Sequence, residues 1–180
     1  WLATGGGDKV LKIWNAANGA PAPKPQFTGF ESPVSAVTFA ENDAQVIAGG
    51  QAAGWVAVFQ LSDGKTIQRV HSGQGSATLV AAGPAGKTRV VQVASDQSVR
   101  LAGKVLQREL AGHSKPVTGV AAVGDTHLLT GSEDGTVRHW QLSDGRMLRQ
   151  MNHGGPVSAV AVRPDGAKFA SAGANNIVKL

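Results

Sequence analysis

The sequence predicts an all-β fold made of repeated four-stranded antiparallel sheets, and three observations predict it. Leu128 to Trp140, LLTGSEDGTVRHW, reads as a β-hairpin: an apolar run ends at Thr130, Asp134-Gly135 supplies a tight turn, and Val137 to Trp140 alternates. The same pattern returns at Leu2 to Trp14, Val46 to Phe59, Val90 to Ala102 and Phe169 to Leu180. Two independent landmarks then keep one period. Trp14, Phe59, Ala102 and Trp140 are spaced by 45, 43 and 38 residues, and Phe30, Gly73, His113 and His153 by 43, 40 and 40.

Composition bounds the class. With 180 residues, 42% hydrophobic content and a mean hydropathy of -0.07, the chain can bury a substantial core. Twenty-four glycines and eight prolines are scattered between short apolar runs, as many turns joining many strands require. The absence of cysteine excludes disulfides and thiolate metal sites and leaves the compartment undetermined. No apolar run is long enough to span a membrane as a helix. Seventeen basic against twelve acidic residues give +5, but the basic residues stand singly and aromatics are only 5%, which argues against a nucleic-acid face.

Within one period the reading is four strands, clearest at Val117 to Ala122, His127 to Gly131, Thr136 to Gln141 and Arg146 to Met151. Gly124-Asp125, Glu133-Asp134-Gly135 and Ser143-Asp144-Gly145 punctuate them, and matching turns stand at Ser62-Asp63-Gly64 and Pro164-Asp165-Gly166. Four antiparallel strands per forty residues make a propeller blade. The first strand of each unit supports this: Ser35-Ala36-Val37, Ala77-Thr78-Leu79-Val80, Thr118-Gly119-Val120 and Ser158-Ala159-Val160 are rich in small residues, as strands crowded around a central axis need.

These residues resemble the WD-repeat family of β-propellers. Its motif sets Gly-His before the first strand, Ser or Thr on the second, Asp in the next turn and Trp on the third. Gly112-His113, Thr130, Asp134 and Trp140 match all four places. The resemblance implies a buried hydrogen-bonded network of the His113 ring, Thr130 hydroxyl, Asp134 carboxylate and Trp140 indole, each satisfying another. No Trp-Asp dipeptide occurs, since Trp14 precedes Asn15 and Trp140 precedes Gln141.

Taken in order, the first unit keeps Thr4, Asp8 and Trp14, with its His falling upstream of Trp1. The second carries Phe30, Gly49, Ala53 and Phe59 in the four places, with a one-residue ambiguity at Gly49. This is a joint apolar replacement, which is near neutral where single losses strand buried partners. The third is weakest, with Gly73, Gln92, Asp96 and Ala102, and its hairpin shortens to Gly103-Lys104. The fifth keeps His153 and Ser171, sets Asn175 for the Asp, and its Trp place falls just after Leu180. The Pro-rich stretch Ala20 to Pro25 reads as a distorted outer strand, because the repeat resumes in register beyond it.

The count is three complete blades and two partial ones: 1–29, 30–72, 73–112, 113–152 and 153–180. Such an arc belongs to a seven- or eight-bladed ring within a longer parent chain, or to a domain trimmed at arbitrary points, and is expected to associate through its open edges.

Three patterns imitate catalytic or ligand sites. Ala81 to Thr88, AAGPAGKT, has the spacing of a phosphate-binding loop, but a strand, Arg89 to Val93, follows where a helix is required. His113, Asp134 and Thr130 imitate a nucleophile triad, yet they recur in part at His153, Asn175 and Ser171 and at Thr4 and Asp8. Active sites are single, whereas frameworks are periodic. His71 and His127 stand outside the landmarks without metal-ligand spacing, and His139 alternates with Trp140 as a packed residue. Lys12, Arg100, Arg138 and Lys179 recur two places before the Trp position, either as a basic stripe or as stems packed between blades.

The resemblance implies partner docking on the face formed by loops before the first strand and between the second and third. The contact residues expected there include Ser35, Thr78, Thr118, Glu133 and Ser158, with Trp55 as either an exposed anchor or a residue packed on the neighbouring blade. The function expected is a non-catalytic protein-protein interaction scaffold without cofactor or metal. The alternative is a ligand-binding or sensory propeller attached to an enzyme or electron-transfer domain elsewhere in the parent chain. Which protein partner it takes does not follow from the fold.

Overall fold

The computed structural model describes residues 1–40, 44–50, 55–71, 77–82, 90–94, 99–102, 108–124, 126–163 and 165–180. Every regular element among them is a strand, and the strands form five antiparallel sheets in chain order. The first holds β1 (Leu2–Gly5), β2 (Leu11–Trp14) and β3 (Pro21–Phe27). The second holds β4 (Val34–Ala40), β5 (Gln45–Gly50), β6 (Trp55–Gln60) and β7 (Thr66–His71). The third holds β8 (Ala77–Ala82), β9 (Val90–Ala94), β10 (Val99–Ala102) and β11 (Arg108–Leu110). The fourth holds β12 (Val117–Val123), β13 (His127–Ser132), β14 (Thr136–Gln141) and β15 (Met147–Asn152). The last holds β16 (Val157–Val162), β17 (Phe169–Gly173) and β18 (Val178–Lys179). Sequential neighbours pair throughout, so each sheet is a meander, and the sequence of three, four, four, four and three strands is the one expected.

Each sheet packs on the next through its inner strands: β1 meets β4, β4 meets β8, β8 meets β12, and β12 meets β16. Small residues make that approach possible. A Cβ on Gly119 of β12 would stand 2.8 Å from the backbone nitrogen of Val160 in the next sheet, closer than any real side chain tolerates. Thr118 adds a polar link between the same sheets, its hydroxyl lying 2.5 Å from the carbonyl of Val157 and 3.2 Å from that of Gly131. Side chains between sheets form apolar layers. Leu11, Ile13, Phe27, Phe30, Val46, Trp55 and Phe59 fill the first, and Val99, Leu110, Leu128 and Trp140 the one between the third and fourth sheets.

Register confirms the repeat residue by residue. Thr130 pairs with Arg138 and Leu128 with Trp140, as Thr4 pairs with Lys12 and Leu2 with Trp14. The turn after the second strand needs a left-handed residue at one place, which Gly135 fills at φ +83°, Lys9 at +62° and Asn176 at +58°. Pro21, Pro23 and Pro25 do lie in a strand, β3, which is outermost in its sheet. Proline has no N–H to donate, which an outer strand tolerates best, and the pairing with β2 is irregular between Gln26 and Pro21. The shortened hairpin expected at Gly103-Lys104 and the loop mimic from residue 83 to residue 88 lie outside the described residues.

Candidate functional site

The fourth sheet assembles a closed polar chain. Trp140 Nε1 donates to Thr130 Oγ1 at 2.8 Å, Thr130 Oγ1 stands 2.8 Å from His113 Nε2, and His113 Nδ1 stands 2.8 Å from Asp134 Oδ2. Asp134 also accepts from the Thr136 hydroxyl at 2.7 Å and from the amides of Thr136 and Ser114. Burial alone would raise its pKa, but the hydrogen bonds from Thr136, His113 and these amides outweigh that cost and hold the carboxyl well below the usual carboxylate range. Burial lowers the His113 pKa, against the pull of Asp134. One proton arrangement satisfies every group: a neutral imidazole with the proton on Nδ1, donating to the carboxylate, while Nε2 accepts from the Thr130 hydroxyl.

That arrangement sets an acid response. Both folded-state pKa values lie below their unfolded values, so the unfolded chain binds more protons and acid favours it. The His113 contribution is complete above about pH 6.5 and drains as pH falls below that. The Asp134 contribution is complete above about pH 4 and is lost as pH drops toward its depressed folded value. A nuclear magnetic resonance titration should find the His113 ring protonating at lower pH than a histidine of the unfolded chain, with thermal stability falling as pH drops below about 6.5 and again below about 4. A His113 ring protonated above pH 6.5 would contradict the assignment.

Elsewhere the pattern is partial. In the first sheet Trp14 Nε1 donates to Thr4 Oγ1 at 3.0 Å, while Asp8 accepts from the Val10 amide and the Lys12 ammonium, both at 3.2 Å. In the fifth, His153 is 2% exposed and uses Nδ1, not Nε2, to meet Ser171 Oγ at 2.9 Å. Its Nε2 is buried without a hydrogen-bond partner, and Asn175 instead accepts from the Ile177 amide.

The second sheet departs most from expectation. Ala48, paired with Ala57, holds the Thr130 place, not Gly49, and Ala53 lies outside the described residues. Trp55 is no exposed anchor: it is 7% exposed, its ring stacks on Phe30 at 4.8 Å, and its Nε1 donates to Ser32 Oγ at 2.9 Å. An indole with a flat aromatic neighbour and a hydroxyl acceptor has more to gain inside than outside. Of the two readings given for Trp55, the packed one therefore holds.

The basic row is tied down where it is described. Lys12 pairs with Asp8, Arg138 lies 3.9 Å from Asp134, and Lys179 reaches the carbonyl of Asn152. His127 and His139 lie with ring centroids 5.0 Å apart. Burial first, then His127 and Arg149, lower the His139 pKa. Among the described residues no three metal-binding side chains gather, and no helix is long and apolar enough to cross a membrane.

On one face between the fourth and fifth sheets, a groove of about 670 Å³ is lined by Lys115, Thr118, Glu133, Pro156, Ser158 and Ala174, above Val117 and Val157. It brings together Thr118, Glu133 and Ser158, three of the expected contact residues. The Thr118 hydroxyl is already engaged by main-chain carbonyls, so Glu133, Ser158 and Lys115 are the exposed polar groups of the rim. Ser35 is exposed on β4, and the side chain of Thr78 lies outside the described residues.

A family model described as "WD domain, G-beta repeat" matches residues 104–141 and 145–180. Mitochondrial division protein 1 of Kluyveromyces lactis is 27% identical over 158 residues, covering 83% of this chain and 20% of that protein. A ribosome biogenesis protein BOP1 homolog of Chlamydomonas reinhardtii is 43% identical over 72 residues, 38% of this chain and 9% of that one. Apoptotic protease-activating factor 1 of Rattus norvegicus is 35% identical over 72 residues, 39% of this chain and 6% of that protein. The chain thus spans a fifth or less of the length of these relatives.

Proposed function

Because the chain belongs to the WD-repeat family of β-propellers, we propose that it is a non-catalytic scaffold whose protein partner docks on the groove between the fourth and fifth blades. The observation that carries this reading is where the polar groups are spent. His113, Thr130 and Asp134 satisfy one another inside the sheet stack, so none of these three is free to act on a substrate, while Lys115, Glu133 and Ser158 present polar groups on an open, shallow rim. Relatives whose names speak of mitochondrial division, ribosome biogenesis and protease activation share the repeat rather than any one reaction, which fits a docking platform.

A photo-crosslinking amino acid at Ser158 tests this directly. In extract from the source cell it should trap a protein partner that the same group at Leu148, exposed on the outer strand, does not. Glu133→Arg should abolish that cross-link and leave the melting temperature within about 2 °C, since a surface change away from packing costs under roughly 0.5 kcal/mol. Equal trapping at both positions would refute the groove as the docking site.

A further inference from the structure

The fourth blade carries a pair of histidines that the blades before it do not repeat. His127 and His139 show no ligand spacing along the chain, but the hairpin of β13 and β14 folds them together. His127 lies opposite Gln141 and His139 opposite Leu129, so strand alternation sets all four side chains on one face of the sheet. The two imidazole rings come to 5.0 Å between centroids. The place of His139 is held by Ile13, Val58 and Leu101 in the first three blades, and that of His127 by Gln45 in the second. A framework recurs from blade to blade, and this pair does not.

Each ring has a nitrogen to offer. Thr126 Oγ1 stands 2.9 Å from His127 Nδ1. With the ring proton on Nδ1 and donated to that hydroxyl, Nε2 carries a lone pair, the arrangement in which an outer oxygen orients a metal-binding imidazole. His139 Nε2 is buried without a hydrogen-bond partner, a cost that the aliphatic residues at the same place in other blades do not incur.

We propose that His127 and His139 form a two-imidazole site for a divalent transition-metal ion, with Gln141 Oε1 and water completing its coordination. The spacing fits: metal–nitrogen bonds of about 2.1 Å meeting at roughly 90 to 110° set two ring centres about 4.6 to 5.3 Å apart. Imidazole suits copper, nickel and zinc, whereas magnesium and calcium take oxygen ligands, and Cu²⁺ binds most tightly of the first-row series. Gln141 shares the face, and its Oε1 accepts from Arg146 only at 3.5 Å, the limit of a hydrogen bond. Arg149, paired with His139 across β14 and β15, sets a positive charge against the ion, but it is exposed and solvent screens it.

The test titrates the unaltered chain with Cu²⁺ at about pH 7.5, where histidine is mostly unprotonated. The ion should broaden the ring resonances of His127 and His139 before those of His113 and His153, and its electron paramagnetic resonance spectrum should report two imidazole nitrogens. Zn²⁺ should raise the melting temperature, and Mg²⁺ should not. His127→Gln and His139→Val each copy the second blade, where Gln45 and Val58 hold these places in an intact sheet, so both variants should fold. Each should weaken Cu²⁺ binding at least about tenfold and abolish the Zn²⁺ effect. A loss below about threefold in either folded variant, or copper nitrogens assigned to other histidines, would overturn the site and leave two rings that merely pack.

Discussion

Replacing Thr130 by valine should destabilise the chain by about 2 to 6 kcal/mol, with little change in shape. Valine matches threonine in volume, so no cavity opens. What disappears is the hydroxyl that accepts from Trp140 Nε1 and donates to His113 Nε2, each at 2.8 Å and at a residue that is 0% exposed. Two buried groups are then left without partners, at roughly 1 to 3 kcal/mol each. For a chain of this size that is a fall in melting temperature on the order of 10 °C. Thr130→Ser should lose far less, because it keeps the hydroxyl, as Ser171 does at the same place in the fifth blade. A valine variant within 0.5 kcal/mol of the parent chain in urea unfolding would show that the network carries no stability.

The same arithmetic explains why the second blade has replaced its quartet jointly. A lone substitution in the quartet strands its neighbours, so intermediate sequences are penalised while the full polar set and a full apolar set are both tolerated. The second blade shows the apolar solution complete. Phe30 and Phe59 meet edge to face at 5.6 Å where His113 and Trp140 stand in the fourth, and Phe27 leans on Phe59 at 5.0 Å.

The architecture was legible because it rests on period. A forty-residue recurrence and alternating strands place Thr130 opposite Arg138 and Leu128 opposite Trp140 whatever the details of packing. The fate of single side chains was not legible, because it depends on neighbours from other strands. Trp55 at a strand start reads equally as anchor or core until Phe30 and Ser32 are seen beneath it. The hydroxyl of Thr118 reads as a surface contact until the carbonyl of Val157, from the next blade, is found at 2.5 Å. Likewise the turned ring of His153 is not written in its own repeat, where Ser171 stands for Thr130 and Asn175 for Asp134.

Gly50→Ala is expected to cost about 3 kcal/mol or more, although it adds one methyl group to a strand. Gly50 occupies the place of Ser132, and a Cβ there would fall 1.9 Å from Trp55 Nε1 and 2.1 Å from its Cε2. No backbone strain enters, since Gly50 is not in the left-handed region. The conflict is with the indole, which is held on one side by Phe30 and on its nitrogen by Ser32 and cannot slide without losing both. Evicting it forfeits what truncating a buried tryptophan forfeits, roughly 3 to 5 kcal/mol. The second blade has therefore traded three residues together: Gly50 for Ser132, Trp55 for Thr136, and Ser32 for Lys115. A double-mutant cycle isolates that trade. In a Trp55→Ala background the Gly50→Ala change should cost under about 1 kcal/mol, because the methyl then enters vacated space, giving a coupling of 2 kcal/mol or more. Costs that simply add would mean that the two residues do not share one space, and the account of the second blade would have to be withdrawn.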